Sequence, residues 1–332
     1  MVANIPERWQ RNVPLSRLTT WRIGGPAAYL SRPCSQEDLA ADLAVAAELA
    51  LPVFAIGFGS NLLFPDEGYP GLLVRLPSGL PRFADGRPLT PMRGREKTDA
   101  CTGARERGEM DASHRDEGPD EMLISCPAGA SLSAVARRLA HFGYAGLEWA
   151  EGIPGTIGGA IVNNAGAFGG EMADALVSVE VLEAGAPSRM CEPSELGLAY
   201  RHSRLKGSEP THAFLLSARF RVRHGRVEEL CAQVAAYRSR RRGNAPHEPS
   251  CGSVFRNPAG FSAGRLIERA GLSGMRVGDL QISTRHANYM VNRGNATARE
   301  ALELIALAQS RVRAAFGIDL EPEVQKVGFP RA

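Results

Sequence analysis

The 332-residue sequence lacks features that define several large classes of protein. Its longest apolar region, residues 39–57, is interrupted by Asp42, Glu48 and Pro52, which excludes a membrane-spanning helix there. Residues 1–12 have no apolar core of the kind a secretory signal peptide needs. The formal net charge is only +3, which does not favour a nucleic-acid or membrane-surface protein. We therefore expect no nucleic-acid partner and no membrane insertion.

The cysteines give no indication of a metal site. They contain no C-x-x-C pair and no spacing typical of a metal site, so we expect no metal ion. A reduced, cytoplasmic protein is the simplest interpretation, in which most of these side chains act as small apolar residues. The six positions are Cys34, Cys101, Cys126, Cys191, Cys231 and Cys251.

The length of the chain and its periodic segments predict a mixed α+β protein with more than one domain. We place an N-terminal region at 1–225, made of two α+β subdomains at about 1–76 and 122–225, and a C-terminal α/β domain at 226–332. Apolar spacing predicts helices at 37–49, 131–143, 227–243 and 298–316. Apolar runs and alternation predict strands at 52–57, 71–76, 122–126, 176–185 and 214–225.

One segment, residues 82–121, differs in composition from the rest. It contains eight basic and ten acidic side chains and almost no aliphatic ones. Such a segment cannot bury enough apolar surface to offset the entropy lost on ordering. The sequence therefore predicts a disordered insertion between two strands.

Two glycine-rich segments each follow or lie near a predicted strand. They are residues 55–64, AIGFGSNLLF, and residues 152–170, GIPGTIGGAIVNNAGAFGG. Neither matches a phosphate-binding P-loop, and Leu62 stands where a dinucleotide fingerprint needs its third glycine. Glycines allow successive main-chain N–H groups to line one concavity, which favours an anion site, although a pair of tight turns fits each loop equally well. Residues 152–170 are too apolar for a solvated linker.

The order of motifs resembles the UDP-N-acetylenolpyruvoylglucosamine reductase family. The resemblance covers nearly the whole chain apart from residues 77–121. Each piece alone is weakly specific, but all of them occur in the family's order. The pieces are LTTWRIGGPA (18–27), GFGSNLLF (57–64), GLEWAEGIPGTIGGAIVNNAGAFGGE (146–171), YRHS (200–203), CGSVFRNP (251–258), AGLSGMRVGDLQISTRHANYMVN (270–292) and LEPEV (320–324).

This resemblance implies an FAD-binding fold of the vanillyl-alcohol-oxidase/p-cresol-methylhydroxylase type and a C-terminal substrate-binding domain. It implies a cytoplasmic monomer with non-covalent FAD that uses NADPH to reduce the enolpyruvyl group of a UDP-sugar, UDP-N-acetylglucosamine-enolpyruvate, to UDP-N-acetylmuramate. The absence of an extra tyrosine-bearing loop resembles the shorter, second type of the family. Two other functions stay open at this point: a different FAD-dependent oxidase or dehydrogenase of the same fold, or a non-catalytic flavin-binding protein.

The resemblance also implies the catalytic residues. Arg201 supports the substrate carboxylate, which suits the planar fork of a guanidinium. Glu323 assists the enediolate, a role that requires a protonated or hydrogen-bonded carboxyl group. Ser253 is the proton donor, although Cys251, two residues away, carries a more acidic group and stays open as a rival.

The remaining site residues follow from the same motifs. The predicted contacts to FAD are Gly57, Gly59, Ser60, Asn61, Ile153, Pro154, Gly158, Gly159, Asn164 and Gly166. The predicted contacts to the sugar nucleotide or its surroundings are Asn257, His286 and Asn288. Two positions depart from the family pattern, Ala245 and Asp279, which leaves local substrate contacts open.

Overall fold

The computed structural model describes residues 5–90, 121–207 and 213–330. Its helices are α1 (Gln36–Glu48), α2 (Leu132–His141), α3 (Ile157–Val162), α4 (Met172–Ala175), α5 (Val227–Asn244), α6 (Ala263–Arg269) and α7 (Ala298–Phe316). Its strands are β1 (Gln10–Pro14), β2 (Pro26–Ser31), β3 (Val53–Ala55), β4 (Leu62–Leu63), β5 (Tyr69–Val74), β6 (Arg82–Phe83), β7 (Glu121–Pro127), β8 (Tyr144–Ala145), β9 (Gly166–Ala167), β10 (Gly170–Glu171), β11 (Leu176–Glu183), β12 (Arg189–Cys191), β13 (Ala213–His224), β14 (Ser250–Ser253), β15 (Arg276–Val277), β16 (Leu280–Ile282), β17 (Tyr289–Asn292) and β18 (Gln325–Lys326).

The first sheet has the strand order β1-β2-β5-β3, with the β2–β5 and β5–β3 pairs parallel. Parallel strands of one sheet need a crossover connection, and helix α1 supplies it between β2 and β3, which lie on either side of β5. The serine hydroxyl of Ser35 accepts a hydrogen bond from the Asp38 N–H at 3.1 Å and begins that helix. The carboxylate of the buried Asp42 on α1 accepts a hydrogen bond from the Trp9 indole at 2.6 Å, so the helix is tied to the start of the chain.

The second sheet is antiparallel and has the order β12-β11-β13-β7-β6, with β8 also paired to β13. Alternate residues of β13 are buried, among them Phe214, Ala218, Phe220 and Val222, as their alternation with polar residues predicts. Helices α2 and α3 contribute to the same apolar core.

The third sheet, β14-β17-β16-β15, lies in the C-terminal part and packs with α6 and α7. Its core also contains Trp21, Ile23 and Leu63, which belong to the N-terminal part of the chain. Strand β18 pairs in parallel with β4, so Gln325 and Leu62, which are far apart in the sequence, are neighbours in the fold. The C-terminal part is therefore built onto the N-terminal part.

The main predicted elements are confirmed, with ends that differ by a few residues. Helix α5 begins where we placed the domain boundary, yet its buried Leu230 and Val234 pack with Ala140 of α2. This helix therefore contacts the N-terminal region, and the domain limits stay a prediction. Within the three described ranges, no helix has both the length and the apolar character needed to cross a membrane.

The predicted disordered insertion needs a correction at its start. Residues 82–83 form β6, which pairs with β7, and Leu89 is only 5% exposed within the core of the second sheet. The composition of the segment does not indicate this pairing, because a two-residue strand and a single buried leucine bury little area. Pairing with the edge of the second sheet is nevertheless sufficient to order these residues. Residues 91–120 of the segment lie outside the described residues.

Asp66 connects the two parts of the chain at the start of α7. Its carboxylate accepts hydrogen bonds from the N–H groups of Ala298 at 2.7 Å and Arg299 at 3.1 Å. We expect Asp66→Ala to lower the free energy of unfolding by about 1 kcal/mol, the usual cost of losing a helix N-terminal acceptor. Urea denaturation measures the change, and the neighbouring Glu67→Ala is the matched control. Equal stability of the two variants would contradict the role of Asp66.

Candidate active site

A cavity of about 800 Å³ lies between the two glycine-rich segments and the C-terminal part of the chain. This volume is typical of a site for a large organic ligand. Residues 57–61 and 152–156 form part of its lining, and residues 245–253 form another part. The three predicted catalytic residues also line it.

The first glycine loop, residues 57–61, follows β3. Gly59 has a φ of +63°, and a Cβ added to it would lie 2.3 Å from the main-chain oxygen of Leu18. Only glycine fits this position without strain. Among the described residues, none accepts a hydrogen bond from the main-chain N–H groups of this loop. These donors are therefore available to an anionic ligand in the cavity.

The second glycine segment folds as a turn followed by the short helix α3. The hydroxyl of Thr156 accepts a hydrogen bond from the Gly159 N–H at 3.2 Å, and Ile157 and Ile161 are buried. This excludes the linker interpretation, as the apolar composition predicted.

The two glycine segments contact each other directly. The Ser60 hydroxyl donates a hydrogen bond to the Pro154 main-chain oxygen at 2.6 Å. A Cβ on Gly57 would lie only 2.6 Å from the Thr156 hydroxyl, so this approach requires glycine. The loops therefore form one continuous wall rather than two separate turns.

Arg201 lies in the cavity against the end of the second glycine segment. Its guanidinium donates to the main-chain oxygens of Gly166 at 2.7 Å and Asn164 at 3.3 Å, and its Nε lies 3.2 Å from Oε1 of Glu323. Its φ of +54° is a left-handed conformation that a non-glycine residue seldom adopts. Such strain persists only where surrounding contacts fix it, and it is concentrated at functional sites.

Glu323 is a hydrogen-bonded carboxylate, one of the two states that its predicted role requires. Its Oε1 accepts from Asn163 Nδ2 at 3.2 Å as well as pairing with Arg201. Its main-chain oxygen accepts from Asn61 Nδ2 at 3.1 Å. Glu323 is thus joined to both glycine segments, to the first through its main-chain oxygen and to the second through its carboxylate.

Main-chain contacts hold the segment of Ser253 next to that of Glu323. The N–H of Glu323 donates to the oxygen of Val254 at 2.7 Å, which fixes the spacing between the two segments. Ser253 pairs with Tyr289 across β14 and β17, and both residues line the cavity. Gly252, with a φ of +80°, turns the chain immediately before the serine.

Lys206 is a further cavity residue that the motifs did not single out. Its Nζ donates to Asn163 Oδ1 at 2.5 Å and to the main-chain oxygen of Arg201 at 2.9 Å. Burial, aided by the nearby charge of Arg256, lowers its pKa to about 8. Because Lys206 holds the amide oxygen of Asn163, the amide nitrogen of that residue is directed to Glu323. Lys206 is the last residue of YRHSRLK (200–206), so the motif that contains Arg201 was the available signal.

Sequence reasoning also missed Asn163, Tyr289 and Arg241, all of which line the cavity. Asn163 is adjacent to the predicted Asn164, and Tyr289 lies next to the predicted Asn288. Arg241 is one of several arginines at the end of α5. Nothing in the sequence of these arginines indicates which of them lines the cavity.

Four predicted residues lie outside the cavity lining. Asn164 and Asn288 are buried and bind main-chain groups of Ala199, Ala173 and Phe255. Asn257 Oδ1 accepts from the Ala263 N–H at 3.0 Å, and His286 Nδ1 accepts from the Asn288 N–H at 3.3 Å. These contacts support the loops around the site, and ligand contact by these residues stays a prediction. The other predicted FAD-contacting residues, Gly57, Gly59, Ser60, Asn61, Ile153, Pro154, Gly158, Gly159 and Gly166, all line the cavity.

Comparisons with known proteins identify the family. A UDP-N-acetylenolpyruvoylglucosamine reductase of Chloroflexus aggregans is 41% identical over 98% of this chain and 100% of its own length. The chain belongs to the UDP-N-acetylenolpyruvoylglucosamine reductase family. A reductase of the same name from Rubrobacter xylanophilus is 40% identical over 96% of this chain and 94% of its own.

Domain and structural matches agree with this family. The C-terminal domain model of UDP-N-acetylenolpyruvoylglucosamine reductase matches residues 244–327, and an FAD binding domain model matches residues 108–186. The crystal structure of UDP-N-acetylenolpyruvylglucosamine reductase from Thermus caldophilus matches with a TM-score of 0.70 at 33% identity, covering 96% of this chain and 97% of that one. The predicted α+β FAD-binding fold is confirmed. The assignment to the second type of the family stays a prediction.

The cavity residues fit FAD. A dinucleotide needs donors for its pyrophosphate and room for close approach. The N–H groups of residues 57–61 provide the donors, and Gly155 provides the room, since an added Cβ there would come no closer than 3.7 Å to Ser60 Oγ. The cavity also has the apolar lining that a flavin ring requires, from Ile56, Leu76 and Leu215 among others.

Gly59→Ala tests the first glycine loop. The new methyl group meets the Leu18 oxygen and the left-handed backbone is strained, so we expect the purified variant to lose most of its bound flavin. The ratio of flavin to protein absorbance measures the loss. Gly243→Ala is the control, because nothing lies within 4 Å of its added Cβ. A flavin content equal to that of the control would contradict this use of the loop.

Proposed function

We propose that the protein is an NADPH-dependent flavoenzyme that reduces the enolpyruvyl group of UDP-N-acetylglucosamine-enolpyruvate to UDP-N-acetylmuramate. The observation that carries this proposal is the convergence of Arg201, Glu323 and Ser253 on a cavity walled by two glycine loops. These residues come from distant parts of the chain. Membership of the reductase family supports the same reaction.

The roles of the polar residues follow from where charge develops. When bound and reduced by NADPH, FAD would supply hydride to the methylene carbon of the enolpyruvyl group. Negative charge then moves onto the substrate carboxylate as an enediolate, and the guanidinium of Arg201 stabilises it. Glu323 accepts from Arg201 Nε and thereby orients the guanidinium, while the nearby Lys206 adds positive charge.

The other alkene carbon of the enolpyruvyl group, which bears the carboxylate, then requires a proton. We assign its delivery to Ser253, whose main chain is fixed against Glu323 through Val254. Cys251, the rival donor, is 2% exposed, and burial raises the pKa of its thiol well above the ordinary value. Burial thus reduces the advantage in acidity that made the thiol a rival to the serine hydroxyl.

The alternative functions fit less well. An oxidase or dehydrogenase of the same fold does not require a serine beside an arginine–glutamate pair. A non-catalytic flavin-binding protein would not require the strained backbone of Arg201. We further propose a cytoplasmic monomer, and the free thiols of the five described cysteines, which are typical of a reducing compartment, support the location.

Ser253→Ala separates the two half-reactions. We expect the wild-type protein to oxidise NADPH only when the UDP-sugar is present, and the variant to lose this turnover by at least a hundredfold. Stopped-flow reduction of the flavin by NADPH alone should stay close to wild type, since Ser253 acts only on the substrate. Cys251→Ala is the matched control. Loss of turnover in the cysteine variant alone would reverse the donor assignment, and NADPH oxidation that ignores the UDP-sugar would reject the function.

The lowered pKa of Lys206 predicts that turnover depends on pH. Its pKa of about 8 means that Nζ is charged below pH 8 and neutral above it, so turnover should fall as the pH rises through 8. Lys206→Met should lower kcat at pH 7 by about tenfold, the cost of one charge-assisted hydrogen bond, and should remove this alkaline limb. The exposed Lys326→Met should keep the wild-type profile. An alkaline limb retained in Lys206→Met would show that another group titrates.

A further inference from the structure

A second cavity, of about 560 Å³, adjoins the main one. Four arginines line it, against one carboxylate: Arg137, Arg238, Arg241, Arg242 and Glu151. The two cavities share Gly152, Arg241 and residues 245–247 in their linings. A ligand held in the main cavity can therefore extend into this arginine cavity without crossing another element.

The buried Glu151 holds two of the four arginines in place. Its carboxylate accepts from Arg238 Nε at 2.8 Å, from Arg137 at 3.0 Å and from the Ser133 hydroxyl at 2.9 Å. Burial raises the pKa of Glu151, but the hydrogen bonds from Arg238 and Ser133 outweigh it and the pKa lies below its ordinary value. The carboxylate stays charged and keeps both guanidinium groups on the cavity wall.

The other two arginines, Arg241 and Arg242, form no ion pair with a carboxylate among the described residues. The Nε of Arg241 is buried and donates to no described atom. Burial lowers the pKa of its guanidinium, so a bound anion would stabilise the charged form. Arg242 is exposed, and no described atom accepts a hydrogen bond from its guanidinium. The cavity thus has a positive excess that one carboxylate does not neutralise.

We propose that the arginine cavity binds the 2′-phosphate of NADPH and makes the enzyme prefer NADPH to NADH. The inference rests on the proposed function, because it concerns a nucleotide seated in the same main cavity. A phosphate monoester carries up to two negative charges, and the planar fork of arginine binds its oxygens in pairs. NADH lacks that phosphate and leaves the arginines without their partner. The diphosphate of the UDP-sugar is the other source of the same chemistry, and the test distinguishes the two.

Arg242→Ala is the informative variant, since no buried partner is left unpaired by its removal. Arg240→Ala is the matched control: it removes the same charge two positions earlier on α5, and Arg240 lines neither cavity. The FAD-loaded proteins are titrated calorimetrically with adenosine 2′,5′-bisphosphate, with AMP and with UDP. The ratio of kcat/KM for NADPH to that for NADH is measured on the same proteins.

We expect wild type and Arg240→Ala to bind adenosine 2′,5′-bisphosphate at least tenfold more tightly than AMP. Arg242→Ala should lose that preference, and its NADPH to NADH ratio should fall by at least tenfold. If Arg242→Ala instead weakens UDP and keeps the bisphosphate preference, the cavity serves the UDP-sugar and the inference is overturned. Unchanged binding of all three probes overturns it as well. Absence of UDP-sugar-dependent turnover with either nicotinamide in wild type would be a failure of the proposed function instead.

Discussion

The ion pair between Arg201 and Glu323 is the contact on which the site depends. Arg201 belongs to a turn in the segment between β12 and β13, and Glu323 lies just before β18. Their side chains are 19% and 13% exposed, so the pair is shielded from water, and each member also has hydrogen bonds to the second glycine segment. Removing one partner of a shielded pair leaves a poorly solvated charge. The pair therefore sets both the spacing and the charge of the reactive side of the cavity.

Glycine-rich main chain and charged side chains meet at the cavity. The glycine loops offer main-chain donors without a charged side chain, and the charges come from Arg201, Lys206 and Glu323, which lie against the second segment. Close approach explains the glycines of the first loop, because added Cβ atoms at Gly57 and Gly59 would overlap the Thr156 side chain and the Leu18 main chain.

Local sequence patterns predicted the elements well and the site only in part. The alternation of β13 and the apolar spacing of α2 and α7 are local properties, and the structure has those elements at those places. The resemblance located Arg201, Ser253 and Glu323, and they converge on one cavity. Lys206 and Arg241 were missed because their importance comes from burial beside other groups, which a linear sequence does not show.

Some of the predicted site residues support the main chain beside the cavity. Asn164 and Asn288 stand in recognisable motifs, yet their amides satisfy buried main-chain groups. A motif match does not separate a residue that contacts a ligand from one that shapes the loop beside it. Residues 82–90 show a related limit, since their pairing with β7 depends on a sheet edge formed elsewhere in the chain.

The pairing of β18 with β4 has a consequence for how the protein is made. Residues 61–63 receive main-chain hydrogen bonds from Gln325 and Val327, and Glu323 immediately precedes this strand. The ribosome adds both glycine segments well before it adds Glu323 and β18. The glycine segments therefore lack their contacts to Glu323 until the C-terminal part of the chain has been made. A complete reactive site cannot form while only the N-terminal part has been translated.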